Sequence, residues 1–234
     1  MYSVEQKHFW HRTRKQTILA VAKELVKELP RNYQVLEIGC GTGDVLQSLQ
    51  IICSGGKVTG VDVDSEALGY ARRRVTCQLI QGDINSLQLG RFNLICMFDV
   101  LEHIRTDLAL LKFLLDNCLE KEGFLLLTVP ANPSLWSDFD IYSGHYRRYD
   151  SKALKTNLEL VGFHVKYLTK FMSLTYPILW MKRKLKWGSA SAELKVMPLI
   201  NSFMLLLFRL ETLLIKGRHH LPFGSSILVV AQKT

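Results

Sequence analysis

Six prolines, five scattered cysteines and no long uncharged apolar run in 234 residues set the first limits on this chain. Cys40, Cys53, Cys77, Cys96 and Cys118 form no C-x-x-C pair and fall mostly within predicted strands or helices. That argues against a disulfide framework and a thiolate zinc site, and for buried reduced thiols in a cytoplasmic setting. Met1-Tyr2-Ser3-Val4-Glu5-Gln6-Lys7-His8 lacks the apolar centre of a signal peptide. No internal repeat or low-complexity linker is present. At 48% hydrophobic residues, the chain is long enough to bury one sizeable α/β core.

Acidic residues are scarce in one place. Across 166–221, ten Lys or Arg stand against Glu193 and Glu211, so nearly all of the chain's net charge of +9 sits there. The same segment is apolar. Residues 171–181 lead into Lys182-Arg183-Lys184-Leu185-Lys186-Trp187, and 198–215 is rich in Leu and Phe but interrupted by Asn201, Ser202, Arg209 and Glu211. The first run is too short to span a membrane and charges break the second. Apolar faces edged by Lys, Arg and Trp suit helices lying in a lipid interface, so an anionic membrane surface is a candidate partner through 171–221. A helical lid on the core or a dimer face is the alternative, and the oligomeric state stays open. RNA would also draw positive charge, but bulky aliphatics interleave it and no RNA-binding signature is present, so no nucleic-acid partner is expected.

What is present is a glycine turn. The apolar run Val35-Leu36-Glu37-Ile38 breaks into Gly39-Cys40-Gly41-Thr42-Gly43-Asp44, and an amphipathic run follows over 45–52. Glycines between a strand and a helix admit positive φ and let a ligand come closer than any Cβ allows. The spacing is G-x-G-x-G, unlike the dinucleotide G-x-G-x-x-G. Asp44 opens the helix where a pyrophosphate would sit; a carboxylate there suits the helix dipole and repels a diphosphate. The turn therefore reads as a seat for a nucleotide-like cofactor without phosphate, with Glu37 placed to hold its cationic or hydroxylated part.

The next strands end the same way. Lys57-Val58-Thr59-Gly60-Val61-Asp62 closes on an acid some 20 residues past the glycines, where a carboxylate accepts ribose hydroxyls in doubly wound folds. A third strand over 78–80 runs into Gly82-Asp83-Ile84. A fourth, 92–98, ends at Asp99-Val100-Leu101-Glu102-His103. These acids are expected along one carboxyl sheet edge, where open α/β sheets bind ligands.

Taken in order, Glu37-x-Gly39-x-Gly41-x-Gly43, Gly60-Val61-Asp62, Gly82-Asp83-Ile84 and Asp99-Val100-Leu101-Glu102-His103 resemble the motifs of Rossmann-like S-adenosylmethionine-dependent methyltransferases. The likeness covers about 33–170 and the final strand, and the chain is similar to small-molecule O-methyltransferases of the ubiquinone-biosynthesis type. It implies an α/β fold: a seven-stranded, mostly parallel sheet with helices on both faces and an antiparallel last strand. Similar domains usually join the sixth and seventh strands by a short connection; here, with those strands expected over 164–169 and 226–231, about fifty residues lie between them, a helical insertion before the last strand. The corresponding divisions are an N-terminal cap and helix (1–32), a cofactor-binding core (33–170), the insertion (171–224) and the final strand (225–234). The cofactor implied is S-adenosyl-L-methionine, with S-adenosyl-L-homocysteine as product. By the resemblance, Gly39, Cys40, Gly41 and Gly43 pass the methionine part, and Asp62 with Val63 holds the ribose. Asp83 and the Ile84 backbone read the adenine, while Phe98, Asp99 and Val100 line the floor beside the sulfonium. An aromatic-Arg segment folds over the cofactor in similar enzymes; here that is His8-Phe9-Trp10-His11-Arg12-Thr13-Arg14, with Arg14 meeting the methionine carboxylate and Trp10 as lid. The alternative is a helix, patterned over 18–29, whose approach merely covers the sheet edge.

Two regions are expected to build the acceptor side. Methyl transfer is an in-line displacement, so the nucleophile must be aligned and water excluded. A hydroxyl acceptor must also lose a proton, and His103 is a candidate base because its free pKa lies near neutrality. Asp99, Glu102 and His103 are an alternative divalent-metal set, as in similar O-methyltransferases with an acid-x-x-Glu-His element; a structural role is the third reading. The second region follows a strand at 124–129: a long loop from Pro130 through Trp136, Asp138, Asp140 and Tyr142 to Gly144-His145-Tyr146-Arg147-Arg148-Tyr149. Loops of this length in compact domains are commonly functional. Its L-W-S…G-H-x-R-R-Y pattern is similar to one in bacterial methyltransferases of undefined acceptor. His145 is a second candidate base, and Trp136, Tyr142, Arg147, Arg148 and Tyr149 are candidate acceptor contacts. The two arginines suit an anionic group, or pairing with Asp138 and Asp140 inside the loop. The expected function is methylation of a small hydrophobic or lipid-linked acceptor on oxygen, at the inner face of a membrane. Competing readings are N- or C-methylation of a soluble metabolite and a non-catalytic cofactor-binding scaffold.

Overall fold

The computed structural model describes residues 8–185 and 198–234. The chain opens with helix α1 (Phe9–Val26), then alternates strands and helices: β1 (Gln34–Ile38), α2 (Asp44–Ile52), β2 (Lys57–Asp62), α3 (Ser65–Ala71), β3 (Gln78–Gln81) and β4 (Phe92–Phe98). After α4 (Asp107–Phe113) comes β5 (Leu119–Pro130), then a long loop holding the short helix α5 (Asp138–Tyr142). The remaining elements are α6 (Ser151–Val161), β6 (Phe163–Phe171), α7 (Thr175–Lys184), α8 (Pro198–Lys216) and β7 (Ser226–Lys233).

The seven strands form one sheet in the order β3-β2-β1-β4-β5-β7-β6. β1 to β5 run parallel, while β7 is antiparallel to both neighbours. Helices cover both faces, which is why these strands read as apolar runs without polar alternation. In β4, Ile95 and Met97 face a core closed by Leu110 and Leu111 of α4 and Leu154 and Leu158 of α6. Leu94 and Cys96 face the other core, closed by Val21 and Leu25 of α1, Leu46 and Leu49 of α2, and Phe208 and Ile215 of α8. The free thiols follow the same logic: Cys40, Cys53, Cys96 and Cys118 are buried and only Cys77 is half-exposed.

Strand order reverses between β1 and β4, so their carboxyl ends splay apart and leave the crevice typical of open α/β sheets. The register sets Ile38 beside Met97, Glu37 beside Gly60, and Phe98 beside Thr128. Two elements start well before the sequence pattern places them. α1 starts at Phe9, well before the apolar periodicity at Ile18, because its first turns bury Thr13, Arg14 and Thr17 and carry little hydrophobic signal. β5 reaches back to Leu119, ahead of the expected Phe124. Trp187, Glu193 and the basic residues between Lys186 and Lys195 lie outside the described residues.

Candidate active site

All three turn glycines have positive φ: Gly39 at 70°, Gly41 at 52° and Gly43 at 77°. Their reasons differ. A Cβ on Gly39 would stand 2.3 Å from Cγ2 of Val100, and one on Gly43 would stand 3.0 Å from Cβ of Ala71. Both glycines allow close packing of the turn. Gly41 meets nothing within 4 Å, so its backbone opens onto free space. Its amide donates to Oδ2 of Asp62 at 2.6 Å, and the Asp64 amide donates to Oδ1 at 2.9 Å. Gly39 and Cys40 amides both donate to the Val61 carbonyl, tying the turn to β2. An open glycine cradle with a carboxylate fixed beside it fits a ribose-bearing cofactor.

Asp44 does sit in the first turn of α2, but its charge is met. Lys15 Nζ lies 2.8 Å from Oδ1, and Arg74 stands 3.8 Å away and donates to the Thr42 hydroxyl. Asp44 therefore excludes a phosphate by occupying the helix terminus more than by net repulsion. Glu37 is 2% exposed, and its Oε2 has no hydrogen-bond partner among the described residues. Burial, with Asp44 and Asp62 adding to it, pushes the Glu37 pKa well above the ordinary carboxylate value. Asp83 caps a short 3₁₀ turn, accepting from the Asn85 amide and side chain at 2.9 Å, with Ile84 buried behind it. Val63 is exposed at the end of β2.

Arg14 crosses the mouth of the crevice. It ion-pairs with Asp99, donates to the Thr128 hydroxyl, and stacks on Trp10 with its guanidinium carbon 5.1 Å from the ring centroid. Burial lowers its pKa to about 10, against the raising influence of Glu102. Asp99 follows Phe98 in a left-handed conformation (φ 55°), an uncommon state for a non-glycine residue and one concentrated at functional sites. Its backbone amide donates a hydrogen bond to the Thr128 carbonyl at 3.0 Å. Thr128 carried no signal in the sequence beyond its place in a strand.

Across from this edge the loop after β5 folds back on the 101–103 turn. The Tyr146 amide donates to the Glu102 carbonyl at 2.8 Å. The rings of His103 and His145 meet edge-on, centroids 4.7 Å apart. His145 Nδ1 bonds Oδ1 of fully buried Asp140 at 2.9 Å, leaving Nε2 as the ring's other nitrogen. Burial alone would raise the Asp140 pKa, but bonds from His145 and Arg148 hold it below the ordinary value. Ser137 completes this frame as the capping residue of α5. Burial and the neighbouring His145 lower the His103 pKa. Glu102 is buried with neither carboxylate oxygen bonded among the described residues. Ligand atoms of Glu102, His103 and His145 all lie within 4.8 Å of one another, a grouping able to hold a metal ion. Asp99, in the metal set read from the sequence, is turned to Arg14, and His145 takes its place.

Arg148 is engaged within the loop, while Arg147 reaches out of it to α4. Arg148 Nε bonds Asp140 at 2.8 Å; Arg147 pairs with Asp107 at 2.7 Å, outside the Asp138 and Asp140 pair that the intraloop alternative offered. Tyr149 is buried, its hydroxyl donating to Asp107 at 2.9 Å and standing 3.2 Å from the Leu101 carbonyl. It braces the loop against the 101–103 turn. Trp136 and Tyr142 are exposed, at 38% and 90%. Asp140 and Asp107, which hold these groups, were missed as site residues: an acid in the first turn of a short helix reads as a solvated residue, and no local pattern marks it as buried.

The reversal of strand order beside an open glycine cradle defines an α/β enzyme domain that takes a nucleoside cofactor at its carboxyl edge. The chain belongs to the methyltransferase domain family, which it matches over residues 9–168, and is a Rossmann-like domain of the S-adenosylmethionine-dependent class. Over 80 residues it is 35% identical to the malonyl-[acyl-carrier protein] O-methyltransferase of Priestia megaterium, covering 31% of this chain and 29% of that protein. YqeM, a methyltransferase-like protein of Bacillus subtilis, is 28% identical over 120 residues, 47% of each chain. The chain thus spans less than half the length of either curated relative. Among solved structures, the plantazolicin methyltransferase BpumL with SAH superposes at a TM-score of 0.63 and 14% identity, over 100% of this chain and 88% of that one. A TehB-like methyltransferase from Corynebacterium glutamicum gives a TM-score of 0.56 at 16% identity, over 94% and 87%. At these identities the likeness is one of fold.

Proposed function

We propose that the protein methylates a hydroxyl oxygen on a small hydrophobic or lipid-linked acceptor, at the inner face of a membrane, with His145 as base. The bound cofactor supplies an electrophilic methyl group on a sulfonium. Gly41 makes room for it in a turn that Gly39 and Gly43 let pack closely, Asp62 and Asp83 take its hydrogen-bonding edges, and Arg14 with Trp10 closes over it from α1. The observation that carries the reading is the Asp140–His145 bond. A buried carboxylate on Nδ1 fixes the ring's orientation and tautomer, which leaves Nε2 to take a proton from an acceptor. The likeness to an enzyme that methylates oxygen on a malonyl carrier protein supports oxygen as the accepting atom. A carboxylate acceptor is already ionised and needs no base, so the histidine pair favours a hydroxyl.

The test is incubation with labelled cofactor and fractionated lipid and metabolite extracts, followed by mass identification of the product. His145→Gln is expected to lower kcat by about 10²- to 10⁴-fold with little change in cofactor affinity. Unchanged kcat in that variant rules out the base. A product methylated on nitrogen or carbon rules out the acceptor class, and no product with any fraction favours a scaffold.

The grouping of Glu102, His103 and His145 supports a second reading, in which a divalent ion binds there and polarises the acceptor oxygen. Chelator separates the two: a metal-dependent enzyme loses activity and regains it with added ion, while a histidine base does not respond.

A further inference from the structure

Helix α8 is amphipathic on two sides. Phe208, Glu211 and Ile215 are buried toward the core. On the opposite side Phe203, Leu206, Leu210 and Leu213 recur at three- and four-residue spacing and are 59–64% exposed. Single exposed apolar residues are ordinary, but a continuous stripe over three turns marks a contact surface. By helical position, exposed Arg209 and Lys216 border this stripe. α7 adds Ile178, Trp180 and Met181, 43–52% exposed, with Lys184 Nζ set 5.1 Å from the Trp180 ring.

Charge decides the occupant. Glu211, the one acid among the described residues of 171–224, is turned inward, where it accepts bonds from the Met172 and Ser173 amides at 2.6 and 2.8 Å and from the Ser173 hydroxyl. The outer face is therefore apolar and cationic, with no anion among those residues. A second copy of the chain would set like charge against like, and a nucleic acid would meet a greasy stripe. A bilayer with anionic headgroups offers both an apolar layer and negative charge.

We propose that α7 and α8 form a docking surface for an anionic lipid bilayer. The proposal rests on the reading of a lipid-linked acceptor, and the placement of both helices gives it a purpose. α7 lies against the start of the acceptor loop, where Arg183 Nε donates to the Leu135 carbonyl at 3.3 Å and Asn132 bonds the Tyr176 hydroxyl at 3.0 Å. α8 is bolted to α1, which carries Trp10 and Arg14: the Phe9 amide bonds Asn201 at 2.6 Å, Thr17 and Thr212 hydroxyls meet at 3.1 Å, and Phe9 stacks on Phe208. Docking thus brings the acceptor loop and the helix over the cofactor site to the lipid surface together.

The experiment is co-sedimentation of the full chain with vesicles of phosphatidylglycerol and phosphatidylcholine in equal parts, against phosphatidylcholine alone, at low and high salt. Binding is expected to the anionic vesicles only and to fall with salt. Arg209→Ala with Lys216→Ala is expected to weaken it by roughly thirtyfold at low salt, from the attraction of each cation to the surface. Leu206→Ser with Leu210→Ser, both at exposed positions, is expected to weaken it while cofactor binding stays intact. No binding to anionic vesicles, equal binding to both kinds, or a concentration-dependent dimer lost in the Leu206/Leu210 variant would each overturn the proposal. Methyl transfer to a detergent-dispersed lipid-linked acceptor without vesicle binding removes the docking alone; vesicle binding with a water-soluble product removes the lipid-linked acceptor and leaves the docking.

Discussion

Glu102 is a buried acid whose two oxygens have no hydrogen-bond partner among the described residues, and burial pushes its pKa up to about 7 despite the opposing charges of Arg14, His145 and Arg148. An acid with a higher pKa folded than unfolded binds more protons in the folded state. Its stability contribution is full below the unfolded value, about 4.3, and is lost as pH rises through 7. Glu102→Gln is expected to be more stable than the parent at pH 8, by on the order of 3 kcal/mol, and to match it near pH 4. Urea denaturation at the two pH values checks this; an equal gain at both would assign the effect to packing. The glycines give a second contrast. Gly39→Ala drives a Cβ into Val100 at a positive φ and is expected to cost about 2 to 4 kcal/mol. Gly41→Ala meets no atom and is expected to cost only about 1 kcal/mol. Its Cβ instead enters the space beside Asp62, so its larger loss is expected in S-adenosylhomocysteine affinity. Calorimetric binding and melting of the two variants separate these effects.

At the scale of elements, the joint between the sheet and the insertion depends on Glu211. It takes the Met172 and Ser173 amides where β6 turns toward α7, and Met172 has a positive φ of 61° there. Glu211→Ala leaves two amides of that turn without partners and is expected to cost about 3 kcal/mol, a fall in melting temperature of roughly 6 to 12 °C for a domain of this length. A melt within a degree of the parent would show that water replaces the carboxylate. Element types were largely legible: β2 and β4 have the ends their apolar runs and following acids mark. α1 was legible only in its second half. Its first turns are held by Arg14 on Asp99 and Thr128 and by Phe9 on α8, contacts with residues more than 80 positions away that no local periodicity encodes.

At the scale of the whole molecule, β7 is the piece the sheet can least lose. Ile227, Leu228, Val229, Val230 and Ala231 are fully buried between β5 and β6, and the strand supplies hydrogen bonds to both. Burial of the four larger side chains alone is worth roughly 6 to 12 kcal/mol, comparable with the whole stability of a domain. Deletion of 226–234 is expected to abolish cooperative unfolding, read by circular dichroism on heating; a retained sharp transition would mean that β5 and β6 close without it. No helix among the described residues is long and apolar enough to cross a membrane.

The sequence by itself determined the alternation of strands and helices, the glycine turn and the acids at four strand ends, because each rests on local backbone geometry and on side chains within one motif. It also placed the excess charge in the insertion. Only the tertiary structure decided how those charges are used. It turned Asp99 onto Arg14, paired Arg147 with Asp107 and Arg148 with Asp140, and buried Asp140 against His145. It also set His145 beside Glu102 and His103 and faced Glu211 inward. Burial and partner choice come from chain segments far apart in sequence, and a carboxylate's role depends on what surrounds it.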